Sequence, residues 1–181
     1  MARDKKRKYD NDSASNDRAD ELISIPKYGE FTEWDAETRD KECARIFTFG
    51  CGLIDSAGIT LNGVTVEYKV HIAPRVDKYT VRATLFEYDK STRQKLRVVQ
   101  LDNKQPVYSK GGMKHDTWPH IHIGQERKVF DNVFAPTDMT IQQSLIFFEQ
   151  QSNIYLDPEV NCDFNINNFE LTPTRKKYGK P

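Results

Sequence analysis

Residues 64–72 read VTVEYKVHI, and this stretch decides the fold class because apolar and polar side chains alternate along it without a break. In a β-strand successive side chains point to opposite faces of the sheet, so this period of two places one face in a core and the other in water. Sheets with one wet face are commonly antiparallel. The stretch therefore predicts a long antiparallel strand, and Asn62-Gly63 just before it predicts a hairpin turn that follows an arm at 58–61.

Further strands are predicted downstream of this stretch. Alternating or β-branched segments occur at 78–88, at 96–101 and again near 118–123, and short polar loops separate the first of these from its neighbours. Short loops between such segments are typical of an antiparallel meander. The Asn-rich region after residue 153 adds one or two short strands, so we expect a sheet of four to six strands.

Two helices are predicted, one on each side of the meander. The first spans 33–47, which begins with polar residues suited to capping and contains neither Gly nor Pro. The second spans 139–151, where Ile141, Leu145 and Phe148 recur at helical spacing. The chain is therefore predicted to have an α+β fold, an antiparallel sheet with two helices and disordered basic termini.

The net charge of zero hides an uneven distribution of charge along the chain. The 27 basic and 27 acidic residues balance, but residues 3–8 and the last ten residues each carry +4, which leaves −8 on the body between them. The basic side chains expected to contact nucleic acid are Lys5, Lys6, Arg7, Lys8, Arg175, Lys176 and Lys177. The first cluster also fits a nuclear-import address or a simple solvated tail.

Composition also predicts domain boundaries and compartment. We expect a disordered polar tail at 1–20, a single domain at 21–171 in which 22–26 form an extended piece, and a basic tail at 172–181. Deletion of residues 1–20 is expected to leave the fold intact. No apolar stretch approaches the roughly 18 residues of a membrane span, and the N-terminus lacks the apolar core of a signal peptide. Three cysteines without a C-x-x-C pair indicate free thiols, so a cytoplasmic protein with no membrane association is expected.

Three of the four histidines lie within eight residues, and they form the clearest constellation with chemical potential. These are His115, His120 and His122. In a strand the last two share one face, so their ring nitrogens can converge on one phosphate or one metal ion. Paired imidazoles can also act as general base and general acid in RNA cleavage without a metal. The alternative is a wet strand face that carries histidines for no catalytic reason.

The spacing of the same histidines also supports the hypothesis of a metal-binding site. His120-x-His122-x-x-x-Glu126 coincides with half of the metal motif of cupins, which are small β-barrel proteins that bind a divalent metal. The glycines that flank that motif are replaced here by Lys114 and Val133. A cupin-like enzyme is therefore kept as an alternative.

The order of segments from residue 78 to 154 resembles small bacterial and phage domains related to the TumE-like toxins of toxin–antitoxin pairs. The matching segments are Lys78-Tyr79-Thr80-Val81-Arg82, Leu101-Asp102, Pro119-His120-Ile121-His122, Ala135-Pro136 and Phe148 to Ile154. The resemblance implies association with mobile elements, together with RNA cleavage or inhibition of a host process, and it matches His120 and His122 to active-site positions. The N-terminal tail, the helix at 33–47 and the C-terminal extension depart from this pattern.

Three functions from different classes follow from these observations. The leading hypothesis is a nucleic-acid-directed protein of a mobile element or antiviral defence system, either a histidine-dependent ribonuclease or a binder without turnover. The second is a non-catalytic protein-interaction module or inhibitor that uses the acidic body to occupy a basic surface. The third is the metal-dependent enzyme. A protein partner is expected, and the sequence identifies no cofactor.

Overall fold

A computed structural model of the chain describes residues 13–39, 44–73, 78–104, 108–109, 112–113, 119–131 and 134–160. Its helices and strands, in chain order, are α1 (Asn16–Ser24), β1 (Lys27–Glu30), β2 (Asp35–Arg39), β3 (Ala44–Ile54), β4 (Thr60–Ala73), β5 (Lys78–Asp89), β6 (Gln94–Lys104), β7 (Tyr108–Ser109), β8 (Gly112–Met113), β9 (His120–Ile123), β10 (Glu126–Val129), α2 (Ile141–Ser152) and β11 (Ile154–Asp157).

The described residues form a nine-stranded sheet with the order β10-β9-β6-β5-β4-β3-β1-β11, in which β2 pairs beside β1 on the same edge of β3. All pairs are antiparallel except β1 with β11, and β7 with β8 forms a separate small ribbon. The α+β class, the meander β4-β5-β6 and the helix predicted at 139–151 are confirmed, and the described residues contain two helices, although the first lies elsewhere than predicted. The sheet is larger than the four to six strands expected, because β1, β2 and β3 come from a region without a clear strand pattern.

The predicted helix at 33–47 is wrong, because this region contains β2 and the start of β3. The capping residues and the absence of Gly and Pro favour a helix only weakly, and pairing of β3 with β4 over most of its length overrides that preference. Phe47, Phe49 and Leu53 alternate along β3 and are buried. Their period of two was obscured by the glycines at 50 and 52, which resemble loop residues in the sequence.

The hairpin that joins β3 and β4 turns at residues 55–59, at least three residues before the predicted turn at Asn62-Gly63. The Oδ1 atom of Asp55 accepts hydrogen bonds from the backbone N–H groups of Ala57 and Ile59, both at 2.9 Å. Gly63 instead lies within β4 with a φ angle of 81°, a conformation that glycine adopts without strain. The glycine therefore permits a local distortion of the strand and does not end it.

Helix α1 lies where the sequence predicted first a disordered tail and then an extended piece at 22–26. Ser15 caps the helix, since its Oγ atom accepts a hydrogen bond from the backbone N–H of Arg18 at 3.3 Å. The guanidinium of Arg18 forms a two-point ion pair with Glu87 of β5. The part of 1–20 that the structure describes thus belongs to the fold, and deletion of residues 1–20 is no longer expected to leave the fold intact.

Both helices pack on the same face of the sheet. Leu22 of α1 and Phe148 of α2 are buried in one core, and the ring of Phe148 meets the ring of Tyr68 edge-on at 5.7 Å. A buried hydrogen bond from Nδ2 of Asn103 to Oγ of Ser144, 2.6 Å long, fixes α2 over β6. The opposite face of the sheet carries neither of the described helices and keeps the polar residues of the alternating strands.

Glu149 of α2 makes the stability of this packing depend on pH. Burial raises the pKa of its carboxyl from 4.5 to about 7, and the Glu159 charge acts in the same direction, although a hydrogen bond from the Tyr68 hydroxyl (3.3 Å) opposes it. Between pH 4.5 and 7 the Glu149 carboxyl is therefore protonated in the folded protein and ionised in the unfolded chain. Stability should fall as pH rises through this window, by at most about 3 kcal/mol.

The Glu149→Gln variant should lose this dependence, because its amide imitates the protonated carboxyl at every pH. Chemical denaturation at pH 5 and pH 7.5 measures the effect, and the wild type should be less stable at the higher pH while the variant changes little. Glu21→Gln, at an exposed position on α1, is the control. Equal pH dependence in wild type and Glu149→Gln would contradict the assignment.

Candidate functional site

The side of the sheet without a described helix is called the polar face. The strand register shows which residues lie on it. Its site residues are Lys69, Arg82, Arg97, Gln100, Asp102, His120, His122 and Arg127. Directly paired residues in a sheet share a face. One row of pairs runs from Lys69 through Arg82 and Asp102 to His120, and the next runs through Gln100 and His122 to Arg127. The predicted fourth strand is confirmed as β9, and it places the two histidines on one face as expected.

His120 lies beside a carboxylate. Its Nε2 atom is 3.8 Å from Oδ2 of Asp102, and both side chains are largely shielded, with 13 % and 17 % of their surface exposed. Asp102 also accepts hydrogen bonds from Nε of Arg82, at 2.6 Å, and from Nε2 of Gln100. A carboxylate this close stabilises the protonated form of an imidazole.

His122 has the opposite surroundings. Burial is the main cause that lowers the pKa of His122 from 6.5 to about 4, and the charges of Arg97, His120 and Arg127 lower it further while Asp102 opposes them. Its Nδ1 atom is buried, and none of the described residues forms a hydrogen bond with it. The imidazole of His122 is therefore neutral at pH 7 and can accept a proton.

The two imidazoles are close enough to act on one group. Their ring centroids are 4.9 Å apart and their planes meet at 76°. When the surroundings of two adjacent titratable groups favour different protonation states, the pair can divide the roles of acid and base. In this pair His122 suits the base and His120, next to Asp102, suits the acid.

Glu126 is not part of this cluster, although the sequence grouped it with the histidines. It pairs in register with Ile123, so its side chain lies on the opposite face of the sheet from His120 and His122. There Nδ2 of Asn16 donates a hydrogen bond to its Oε1 atom at 3.3 Å. In the part of the chain that the structure describes, no group of three or more His, Cys, Asp or Glu side chains is placed to hold a metal ion. The three-residue set of the cupin-like alternative is therefore not brought together.

Other predicted site residues cannot be located in the same way. His115 and the seven basic residues of the termini, Lys5, Lys6, Arg7, Lys8, Arg175, Lys176 and Lys177, lie outside the described residues. Sequence reasoning did not include Asp102, Gln100 or Arg127 in the site. Gln100 lies in the predicted strand at 96–101 and Asp102 in a segment that matches the TumE-like domains, whereas Arg127 lies outside every predicted strand.

Neither of the described helices has the length and apolar character needed to cross a membrane. Comparison of the chain with protein-family models, with curated proteins and with solved structures finds no match. The resemblance of residues 78–154 to TumE-like toxins therefore stays a prediction from the motifs that suggested it.

Proposed function

We propose that this protein binds single-stranded RNA on its polar face and cleaves it with His122 as general base and His120 as general acid. The observation that carries the proposal is the opposite electrostatic surroundings of two adjacent histidines. Arginine is the residue best suited to bind phosphate, and three arginines, Arg82, Arg97 and Arg127, share the face with the pair. The Arg82 side chain is 61 % exposed, so it is accessible to a ligand.

The chemistry requires two proton transfers and no redox step. Neutral His122 accepts the proton of a ribose 2′-OH, and the resulting oxygen attacks the adjacent phosphorus. The bond from phosphorus to the 5′ oxygen then breaks, and protonated His120 donates its proton to that leaving oxygen. The products are a 2′,3′-cyclic phosphate and a free 5′-OH, and a proton exchange with water restores the histidines.

Bound phosphate would also improve His122 as a base. A base with a pKa of about 4 is weak at neutral pH, since efficiency follows basicity. Part of that low pKa comes from the charges of Arg97 and Arg127, and a phosphate bound between them offsets their field. An anion close to an imidazole raises its pKa. Substrate binding therefore shifts His122 toward a useful basicity.

The direct test compares RNA with DNA of the same sequence. The purified protein is incubated in EDTA with a 12-nucleotide single strand that carries a fluorophore and a quencher. We expect the RNA to be cleaved to products with cyclic phosphate ends. The DNA, which lacks the 2′-OH, should bind without being cleaved. Cleavage of both strands, or binding of RNA without any cleavage, would contradict the catalytic role.

Arg127 provides a test of where the RNA lies. Arg127→Gln should weaken RNA binding several-fold at low salt, because each phosphate contact contributes about 0.7 to the slope of log affinity against log salt for a single strand. Lys128→Gln is the matched control, since the neighbouring Lys128 lies on the other face, over the ring of Phe134. Fluorescence anisotropy titrations between 50 and 300 mM salt give the slopes. Equal slopes for the two variants would place the RNA away from the polar face.

The wider role that we propose rests on the resemblance to TumE-like toxins. Under that proposal the protein belongs to a toxin–antitoxin pair or an antiviral defence system of a mobile element, acts on RNA in the cytoplasm and is held inactive by a protein partner. The adjacent pair of His120 and His122 supports this role, because the resemblance matches these two residues to active-site positions.

A further inference from the structure

The end of the sheet opposite the histidines carries an exposed pair of aromatic side chains. Tyr28 of β1 and Tyr155 of β11 are paired in register, and their rings stack with centroids 5.3 Å apart and planes 22° apart. They are 38 % and 55 % exposed, and Ile54, which pairs with Tyr28, is 37 % exposed. Large apolar side chains grouped in this way on a surface commonly mark a binding site.

Two carboxylates lie beside this aromatic pair. Glu30 and Asp157 are paired in register, and each lies two residues beyond one of the tyrosines on the same face. The segments that build this end of the sheet, 27–34, 50–62 and 154–160, contain five carboxylates and a single lysine. That lysine, Lys27, is fully buried on the other face of the sheet and donates hydrogen bonds to backbone carbonyls, so it does not form ion pairs with the surface carboxylates.

The strand at this end also offers backbone hydrogen bonds. Among the described residues β11 is the last strand of the sheet, and it pairs only with β1. Within the described residues no strand pairs with the outer edge of β11, and an extended peptide can add there as a further strand through backbone N–H and C=O groups.

We infer that this acidic aromatic edge, formed by Tyr28, Glu30, Ile54, Tyr155 and Asp157, binds an extended basic peptide segment of a partner protein. The peptide backbone pairs with β11, while Lys or Arg side chains contact the tyrosine rings and the two carboxylates. Cations bind favourably to tyrosine faces, whereas the phosphates of RNA are repelled by this charge. Three strands, β6, β5 and β4, lie between β9 and β3, the nearest strand that contributes to this edge, so the inference does not depend on the proposed cleavage of RNA.

Binding of a defined peptide tests the inference on the full chain. The probe is a fluorescein-labelled octapeptide of alternating Lys and Thr, and its counterpart of alternating Glu and Thr is the charge control. We expect the Lys peptide to bind at least ten times more tightly than the Glu peptide. Tyr155→Ser and Asp157→Lys should each weaken binding of the Lys peptide at least fivefold.

Two matched control variants distinguish binding of the peptide at this edge from general electrostatic attraction to the protein. Tyr88→Ser removes a tyrosine that is 44 % exposed on β5, and Asp20→Lys makes the same charge change on the exposed side of α1. Both should bind the Lys peptide as the wild type does. Equal losses in the control variants, equal binding of the Glu peptide, or no binding of the Lys peptide would each overturn the inference. A dimer that Tyr155→Ser dissociates would also overturn it, because a second copy would then occupy the edge.

Discussion

The His122→Asn variant is expected to cleave single-stranded RNA at least about 100-fold more slowly than the wild type, with RNA affinity changed by less than about twofold. Asparagine keeps a polar side chain of similar reach, but its amide cannot accept the proton of the 2′-OH. Because the arginines of the polar face remain, the RNA still binds. Single-turnover cleavage and anisotropy titrations on the same protein separate the two effects.

The control for this variant is His71→Asn. His71 shares the polar face but lies on β4 beside Thr80, and β5 and β6 separate it from the two histidines of β9. The His71→Asn variant should cleave RNA at the wild-type rate. An equal loss of cleavage rate in both variants would contradict the assignment of His122 as the base. The pH profile is a second check. On the acidic side, the kcat/KM of the wild type should fall as pH drops through about 4, where His122 of the free protein becomes protonated, and on the basic side it should fall as the general acid His120 loses its proton.

The Phe148→Ala variant is expected to lose about 3–5 kcal/mol of stability, the largest effect of a single substitution among those considered. Phe148 is fully buried and contacts Tyr68 at the centre of the core that joins α2 to the sheet. Truncation leaves a cavity that the rigid strands beneath cannot fill. Urea denaturation followed by circular dichroism measures the change.

Ile146→Ala is the matched control on the same helix. Ile146 is 42 % exposed, so its truncation removes few contacts and should cost less than about 1 kcal/mol. Equal losses from the two substitutions would show that α2 does not pack through Phe148. A loss confined to Phe148→Ala confirms that one face of the helix carries the packing energy.

The elements that were predicted correctly from the sequence are marked by patterns among residues a few positions apart. Helix α2 follows from apolar residues at helical spacing and from the reciprocal hydrogen bonds between Thr140 and Gln143 at its N-terminus. Strand β4 follows from unbroken alternation. These patterns reflect interactions between residues a few positions apart, so no knowledge of the rest of the fold is needed to read them.

The regions that the sequence predicted wrongly depend on distant partners. Helix α1 is held by the ion pair from Arg18 to Glu87, and β3 is held by its pairing with β4 and β2. Each of these segments has a weak local preference that could fit another structure. Tertiary contacts decide such segments, because their free energy exceeds the small differences in local propensity.

By itself the sequence determined that an antiparallel sheet exists, and that His120 and His122 lie on one face of it, because a period of two fixes which side chains share a face. Only the tertiary structure decided what surrounds them. Asp102 and Arg127 reach the histidines across neighbouring strands, and Glu126, four residues from His122, lies on the other face. Strand pairing brings distant residues together and separates near ones, and no spacing within a single strand encodes that choice.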